Sequence, residues 1–209
     1  GAIAAASLVA GRSDEDCWQR VLATLSLFAG RPLEVDQSVY VSERETGHRN
    51  RAIAHMLRNF GVIERDPEPA LDRYFRQCAV SVTCRDLSIM AATLANGGLN
   101  PLTRERVLAP HLVKDVLSVM TTCGMYDYAG EWVFRVGLPA KSGVGGGILA
   151  VLPGRLGVAG FSPPLDEHGN SVRGIRVCYE LSQDLGLHFL ATPPEPSSVV
   201  RVACSARDL

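Results

Sequence analysis

Apolar residues recur every three or four positions over most of the first 120 residues, which predicts a cluster of amphipathic helices. The first long helix begins after Ser13, a candidate N-cap followed by acidic residues, and runs to about Ala29. Residues 33–48 have no regular pattern. Four further stripes predict four further helices: Ile53, Met56, Leu57 and Phe60; Leu71, Tyr74, Phe75 and Cys78; Leu87, Met90, Ala91 and Leu94; Val113, Val116, Leu117 and Met120.

Polar residues mark the beginnings of these helices. Asp66 and Pro67 are predicted as the N-cap and the first residue of one helix. Thr83 opens a segment that resembles a capping box and therefore predicts another helix start. The last helix of the cluster is predicted over about 104–122.

The pattern changes after Gly124, where short apolar runs replace the helical stripes. Runs at 132–136, after Gly147 and at 156–161 predict strands of an antiparallel sheet. The Pro-Gly pair at 153–154 predicts the turn between the last two runs.

A final helix is predicted after Asn170 and Ser171, which can cap it, and Ser182 interrupts its inner face. That face comprises Ile175, Cys178, Tyr179 and Leu185. A sheet with one terminal helix needs a partner helix and edge strands, and nothing later in the chain supplies them.

Strands that follow helices predict the α+β class. We expect residues 1–188 to form one domain portion, helical over about 1–123, with the sheet and its packed helix over about 124–188. Residues 189–209 contain three prolines and little periodicity, so they are predicted to be a disordered tail.

Composition limits the classes of function. Hydrophobic residues make up 46% and charged residues 21%, as in ordinary globular proteins. The net charge of -1 gives no electrostatic reason to expect nucleic acid or an anionic membrane as a partner, and no apolar run is long enough to span a bilayer. The six cysteines form no C-x-x-C pair, which favours free thiols in a reducing cytoplasm over a zinc site or a disulfide framework.

The most distinctive stretch is Lys141–Gly147, where four glycines lie within five positions beside a cation and a hydroxyl. Glycine lets a ligand approach the backbone, so N–H groups here could form an oxyanion hole. The alternative is a glycine-rich hairpin with one solvated lysine. A phosphate-binding loop is not indicated, because the glycines precede a strand and not a helix.

Several ordered motifs resemble the serine-dependent glutaminases from Gly1 to about His188. The motifs are T-G-H-R-N ending at Asn50, Y-F-R-Q-C-A-V-S-V-T-C from Tyr74, M-A-A-T-L-A-N-G-G from Met90, C-G-M-Y-D from Cys123, L-P-A-K-S-G-V-G-G-G from Leu138, P-G-R from Pro153 and G-N-S-V-R-G from Gly169.

The resemblance implies the fold of the serine β-lactamases and DD-peptidases, in which S-x-x-K holds the nucleophile and K-[ST]-G lies on a strand. Lys141–Gly143 matches the second motif, and no S-x-x-K occurs in the 209 residues. The family has that motif upstream of the part matched here. We therefore expect this chain to be the C-terminal portion of a longer domain and to be inactive alone.

The resemblance also implies the roles of the residues in the second half of the chain. The backbone N–H of Val144 would line the oxyanion hole, and Tyr126 would share proton transfer with the absent lysine. A tyrosine acting as a base needs a nearby cation, for which Lys141 is a candidate. Without the resemblance, Tyr126 would be interpreted as a half-buried core tyrosine.

Glu43, Asn50 and Tyr74 are implied to bind the amino-acid end of glutamine. Glu43 suits the α-ammonium group by charge, and the other two offer neutral donors for a carboxylate or carboxamide. Taken singly, they would be interpreted as a charge on a solvated turn, an N-cap and part of an apolar stripe.

The resulting hypothesis is hydrolysis of L-glutamine to L-glutamate and ammonia through a serine acyl-enzyme, with no metal or organic cofactor, in a homo-oligomer. Two alternatives remain open. One is a penicillin-recognising acyl transferase or hydrolase of the same fold, and the other is a non-catalytic binding protein that lacks the nucleophile.

Overall fold

The computed structural model describes residues 1–191. Of the tail predicted to be disordered, 189–209, only the first three residues are described, and the N–H of Phe189 donates to the carbonyl of Gly137 at 2.9 Å. The prediction for the rest of the tail lies outside the described residues. The chain divides into two compact units, Gly1–Thr83 and the part that begins at Cys84. No helix within residues 1–191 is both long enough and apolar enough to cross a membrane.

The first unit is helical. Its elements are α1 (Ala2–Ser7), α2 (Asp14–Ala29), α3 (Gln37–Thr46), α4 (His48–Asn59) and α5 (Glu68–Cys78). Its apolar core comprises Ile3, Ala54, Ile63, Leu71 and Phe75.

Helix α2 confirms its predicted limits. The Ser13 hydroxyl accepts a hydrogen bond from the backbone N–H of Asp16, and Gly30 ends the helix in the left-handed conformation at φ 71°. Helix α5 begins one residue later than predicted. Pro67 is its N-cap, and the carboxylate of Asp66 accepts from the N–H of Glu68 at 3.1 Å.

Helix α3 contradicts the prediction that residues 33–48 are irregular. The carboxylate of Asp36 caps it by accepting from the N–H groups of Ser38 and Val39. None of the residues of α3 is buried. The helix therefore has no apolar stripe, and periodicity could not reveal it.

The predicted inner faces of α4 and α5 are partly wrong. In α4, Ile53, Met56 and Phe60 are exposed, and the buried residue is Ala54. In α5, Cys78 is exposed although Leu71 and Phe75 are buried as predicted.

The second unit combines helices with a sheet. Its helices are α6 (Cys84–Ala95), α7 (Pro110–Cys123), α8 (Ala129–Arg135) and α9 (Val172–Leu185), and a single 3-10 turn, Tyr126–Tyr128, precedes α8. Within the described residues, β1 (Ala140–Ser142), β2 (Gly147–Leu152) and β3 (Leu156–Phe161) form one antiparallel sheet in the order β1-β2-β3.

The sheet confirms two of its three predicted strands. Strands β2 and β3 are joined by the predicted turn at 153–154, where Gly154 has φ 72°. The run 132–136 is not a strand, because its residues lie at the end of the short helix α8. There Trp132 is 1% exposed and its indole N–H donates to the carbonyl of Leu138 at 2.7 Å. Tertiary packing thus overrides the strand propensity of this run.

The third strand of the sheet is β1 and not the run 132–136. It pairs with β2, with Lys141 opposite Leu149. Helix α6 covers the sheet closely at β3, because a Cβ atom on Gly157 would overlap the backbone of Ala91 and Ala92.

Two helix predictions in this unit need correction. Helix α7 begins at Pro110 and not near 104, since Arg104 has the left-handed φ of 63° and Val107 bonds back to Gly98. On α9, Tyr179 is exposed and so is Leu185.

The predicted cap of α9 is confirmed, since the hydroxyl of Ser171 accepts from the N–H of Gly174. Ser182 does not interrupt the inner face. Its side chain is buried and donates to the carbonyl of Val136 at 2.6 Å, which satisfies the hydroxyl group.

Candidate active site

Tyr126 stands at the junction of α7 and α8 in an uncommon backbone conformation. Its φ is 55°, in the left-handed region that side-chain-bearing residues rarely adopt. The phenol hydroxyl donates to the carbonyl oxygen of Ser142 at 3.2 Å, and 38% of the residue is exposed. A strained backbone at an accessible polar side chain is typical of functional sites.

Lys141 lies beside this tyrosine. Its ammonium group is 4.6 Å from the centre of the Tyr126 ring and donates to the same carbonyl of Ser142. Lys141 is exposed as a whole residue, yet partial burial of its ammonium group lowers the pKa, with Cys123 acting in the opposite direction. A phenol and an ammonium group therefore share one acceptor.

A tight glycine turn connects β1 to β2. The N–H of Gly143 donates to the carbonyl of Gly147, and the N–H of Gly146 donates to the carbonyl of Gly143, both at 2.9 Å. Gly146 has φ 97°, and a Cβ atom there would lie 2.6 Å from the carbonyl oxygen of Ser162. Only glycine fits this position without displacing the backbone.

Val144 stands at the tip of this turn and is 70% exposed. Its backbone N–H makes no hydrogen bond to any residue in the described part of the chain. An oxyanion hole requires an N–H that is not already engaged, at a residue that a ligand can reach.

Gly169 brings Tyr126 and Val144 to one place. A Cβ atom on Gly169 would lie 3.6 Å from Cγ1 of Val144 and 3.9 Å from Cε2 of Tyr126. The phenol, the ammonium group of Lys141 and the exposed N–H thus border the same part of the second unit. The resemblance motif G-N-S-V-R-G contains Gly169, but no role was derived for it from sequence.

The other three predicted site residues lie in the first unit. Glu43 is on α3, Asn50 is in the first turn of α4, Tyr74 is on α5, and all three are half-buried. Gly47 joins α3 to α4 so tightly that a Cβ atom on it would lie 2.6 Å from the carbonyl oxygen of Glu43.

Cys78 connects two of these residues and was assigned to the core by its sequence stripe. Partial burial raises the pKa of its thiol, a hydrogen bond with Tyr74 acts in the opposite direction, and the charge of Glu43 raises it further. The thiol of Cys78 therefore interacts with Tyr74 through a hydrogen bond and with Glu43 through its charge.

No group of three or more His, Cys, Asp or Glu residues within residues 1–191 is arranged to hold a metal ion.

Comparisons with known proteins agree over nearly the whole described chain. The family model described as Glutaminase matches residues 1–190. A glutaminase of Trichormus variabilis is 59% identical over 189 residues, which are 90% of this chain and 57% of that protein. The chain therefore spans little more than half the length of this relative.

Solved structures give the same result. The crystal structure of Mglu in its glutamate form is 48% identical with a TM-score of 0.88, covering 92% of this chain and 44% of that one. The covalent complex of the Bacillus subtilis glutaminase YbgJ with 5-oxo-L-norleucine, formed by reaction with 6-diazo-5-oxo-L-norleucine, is 33% identical with a TM-score of 0.86. It covers 90% of this chain and 67% of that one.

Proposed function

The chain belongs to the glutaminase family and has its serine β-lactamase-like fold, and on that premise we propose that the protein hydrolyses L-glutamine to L-glutamate and ammonia. The observation that carries the proposal is the convergence of Tyr126 and Lys141 on the carbonyl of Ser142, beside the exposed N–H of Val144.

The reaction passes through a γ-glutamyl ester. A serine hydroxyl attacks the carboxamide carbon, and the tetrahedral oxyanion accepts a hydrogen bond from the N–H of Val144. When the intermediate collapses, the C–N bond breaks and the nitrogen takes the serine proton and leaves as ammonia. A water molecule then hydrolyses the ester, which releases glutamate and restores the serine hydroxyl. The serine comes from an S-x-x-K segment outside these 209 residues, which contain no such sequence.

Tyr126 takes part in the proton transfers. It moves the serine proton toward the departing nitrogen, together with the lysine of the S-x-x-K segment. The ammonium group of Lys141 lies over the ring and favours the phenolate, because a positive charge stabilises a nearby anion.

Glu43, Asn50 and Tyr74 bind the amino-acid end of the substrate. The carboxylate of Glu43 pairs with the α-ammonium group, and the neutral donors of the other two hold the α-carboxylate. The influence of both Glu43 and Tyr74 on the thiol of Cys78 supports a common binding surface for these two residues.

We also propose that the protein is a cytoplasmic homo-oligomer. All five cysteines within residues 1–191 are free thiols, which suits a reducing compartment. Exposed apolar side chains on and just after α4, among them Met56 at 60% and Phe60 at 71%, suit a subunit interface. Size-exclusion chromatography of the protein with light scattering should give a molar mass above that of one chain.

Covalent labelling tests the proposed function. In a chimaera, this chain replaces the 189-residue segment of the Trichormus variabilis glutaminase that it matches. We expect 6-diazo-5-oxo-L-norleucine to add one 5-oxo-L-norleucine group, detected by intact-protein mass spectrometry, and L-glutamine to slow the labelling.

The controls separate the alternatives. A chimaera whose S-x-x-K serine is replaced by alanine should remain unlabelled. Acylation of the parent chimaera by a β-lactam without labelling by the diazo compound would support the penicillin-recognising alternative. A folded chimaera that reacts with neither compound would contradict an acyl-enzyme mechanism.

A further inference from the structure

Asn170 is a buried polar residue whose side chain contacts a distant part of the backbone. The residue is 0% exposed, and its side-chain amide donates to the carbonyl of Met125 at 3.4 Å. That carbonyl already accepts from the N–H of Tyr128 at 3.2 Å. The contact therefore adds a second donor to a satisfied carbonyl, at the residue directly before Tyr126.

The turn that contains Asn170 is internally fixed. The carboxylate of Asp166 accepts from the N–H groups of His168 at 3.0 Å and Asn170 at 2.8 Å. The N–H of Asp166 donates in return to the carbonyl of Asn170 at 2.8 Å. The ring of His168 stacks on Tyr128 at 5.7 Å, so the turn contacts the 3-10 segment at a second point.

The same turn also reaches the glycine turn. The hydroxyl of Ser171 donates to the carbonyl of Ser162 at 2.7 Å, and the N–H of Ser162 donates to the carbonyl of Gly146 at 2.9 Å. Gly169, at φ 87°, faces both Val144 and Tyr126. One short segment therefore contacts the elements that carry the phenol and the exposed N–H.

We propose that Asn170 is a positioning residue that holds Tyr126 in its left-handed conformation, in register with the Val144 turn, through the carbonyl of Met125. The expected effect of Asn170 on turnover rests on the proposed function. Its effect on the position of Tyr126 does not, and that position can be measured in a chain that does not turn over substrate.

The first experiment uses the full 209-residue chain. Tyrosines are labelled with 13C at Cζ, the Tyr126 signal is identified from the spectrum of Tyr126→Phe, and Asn170→Asp and Asn170→Ala are compared with the parent. We expect the Tyr126 signal to shift or broaden in both variants. The matched control is Ser182→Ala, which removes another buried hydrogen bond from a side chain to a backbone carbonyl, that of Val136.

Lowering the pH supplies a rescue that a merely structural role would not give. Burial and the neighbouring carboxylate of Asp166 should raise the pKa of the carboxyl group introduced by Asn170→Asp. Below that pKa the acid can again donate to Met125, so the Tyr126 signal should return toward its parent position between about pH 8 and about pH 5. Asn170→Ala, which carries no acid at this position, should show no such return.

Kinetics provide the second arm, in the chimaera described above. We expect Asn170→Asp to lower kcat roughly 10- to 100-fold at pH 8 with little change in KM, as for a misplaced catalytic group. Ser182→Ala should leave both constants near the parent values. An unchanged Tyr126 signal in both Asn170 variants would overturn the proposal, as would an unchanged kcat in an active chimaera. A shifted signal with an inactive parent chimaera would count against the proposed function alone.

Discussion

Tyr126 combines features that residues in a plain core do not share. Its backbone is left-handed, its hydroxyl reaches Ser142 and its ring lies under the ammonium group of Lys141. Strain of this kind costs about 1–3 kcal/mol and persists only where neighbouring contacts enforce it. The functional interpretation therefore gains support from geometry that is independent of the sequence resemblance.

Replacement of the phenol tests its role in proton transfer. In the chimaera, Tyr126→Phe should lower kcat for L-glutamine roughly hundredfold or more, because a general acid–base group is lost. Tyr179→Phe, on the exposed surface of α9, is the matched control and should leave kcat unchanged. Steady-state ammonia release measures both, and near-parental turnover by Tyr126→Phe would remove this residue from the relay.

The lowered pKa of Lys141 predicts a pH effect on stability. Because the folded chain disfavours the protonated amine, the unfolded chain binds more protons between the lowered pKa and the ordinary value of about 10.4. This lysine therefore makes folding more favourable as pH rises through that window, and its cost is greatest below it.

Urea unfolding of the parent and of Lys141→Met measures this effect. The stability of the parent relative to the variant should increase as the pH rises toward the ordinary lysine pKa of about 10.4, while other groups titrate alike in both chains. Identical pH dependence in the two chains would show that the amine is not desolvated.

These residues could not all be identified from the sequence in the same way. Lys141 and Val144 stood out because glycines cluster around them, whereas Tyr126 was identified only through the resemblance. Asn170 was interpreted only as a possible helix cap, since a polar residue before Ser171 commonly caps a helix. Its contact with Met125 joins positions 45 residues apart and is invisible in local pattern.

Most helices and strands that bury an apolar face could be predicted from the sequence, whereas an element without such a face could not. Helices with a cap and a stripe, such as α2 and α6, were predicted within a residue or two. Helix α3 was missed because none of its residues is fully buried. Helix α8 was mistaken for a strand because Trp132, Val133 and Phe134 have strand propensity, although Trp132 is buried from a helix and Phe134 is exposed. Local propensity cannot distinguish these cases without knowledge of the tertiary contacts.

Two glycines of β3 provide a matched test of how α6 and the sheet pack. Gly157→Ala should lower the free energy of unfolding by about 1–3 kcal/mol, since the added Cβ overlaps the backbone of α6. Gly160→Ala meets nothing within 4 Å and should change stability by less than about 0.5 kcal/mol. Equal effects of the two substitutions in urea unfolding would contradict the described packing.

At the scale of the whole molecule, the candidate chemistry is divided between two units. The first carries Glu43, Asn50 and Tyr74, and the second carries Tyr126, Lys141 and Val144. The α+β class was predictable because strands follow helices along the chain, and the family was predictable because ordered motifs extend along nearly the whole match. The division of the site residues between the two units was not predictable, because it depends on contacts between residues that are distant in sequence.

The most direct test is hydrolysis of L-glutamine, measured as ammonia and glutamate released by the isolated 209-residue chain and by the chimaera. The account predicts no release by the chain alone, and equal amounts of both products from the chimaera, with turnover strongly reduced by Tyr126→Phe. Release by the isolated chain, or a folded chimaera that hydrolyses no glutamine, would contradict the claim that these residues complete a serine-dependent glutaminase site.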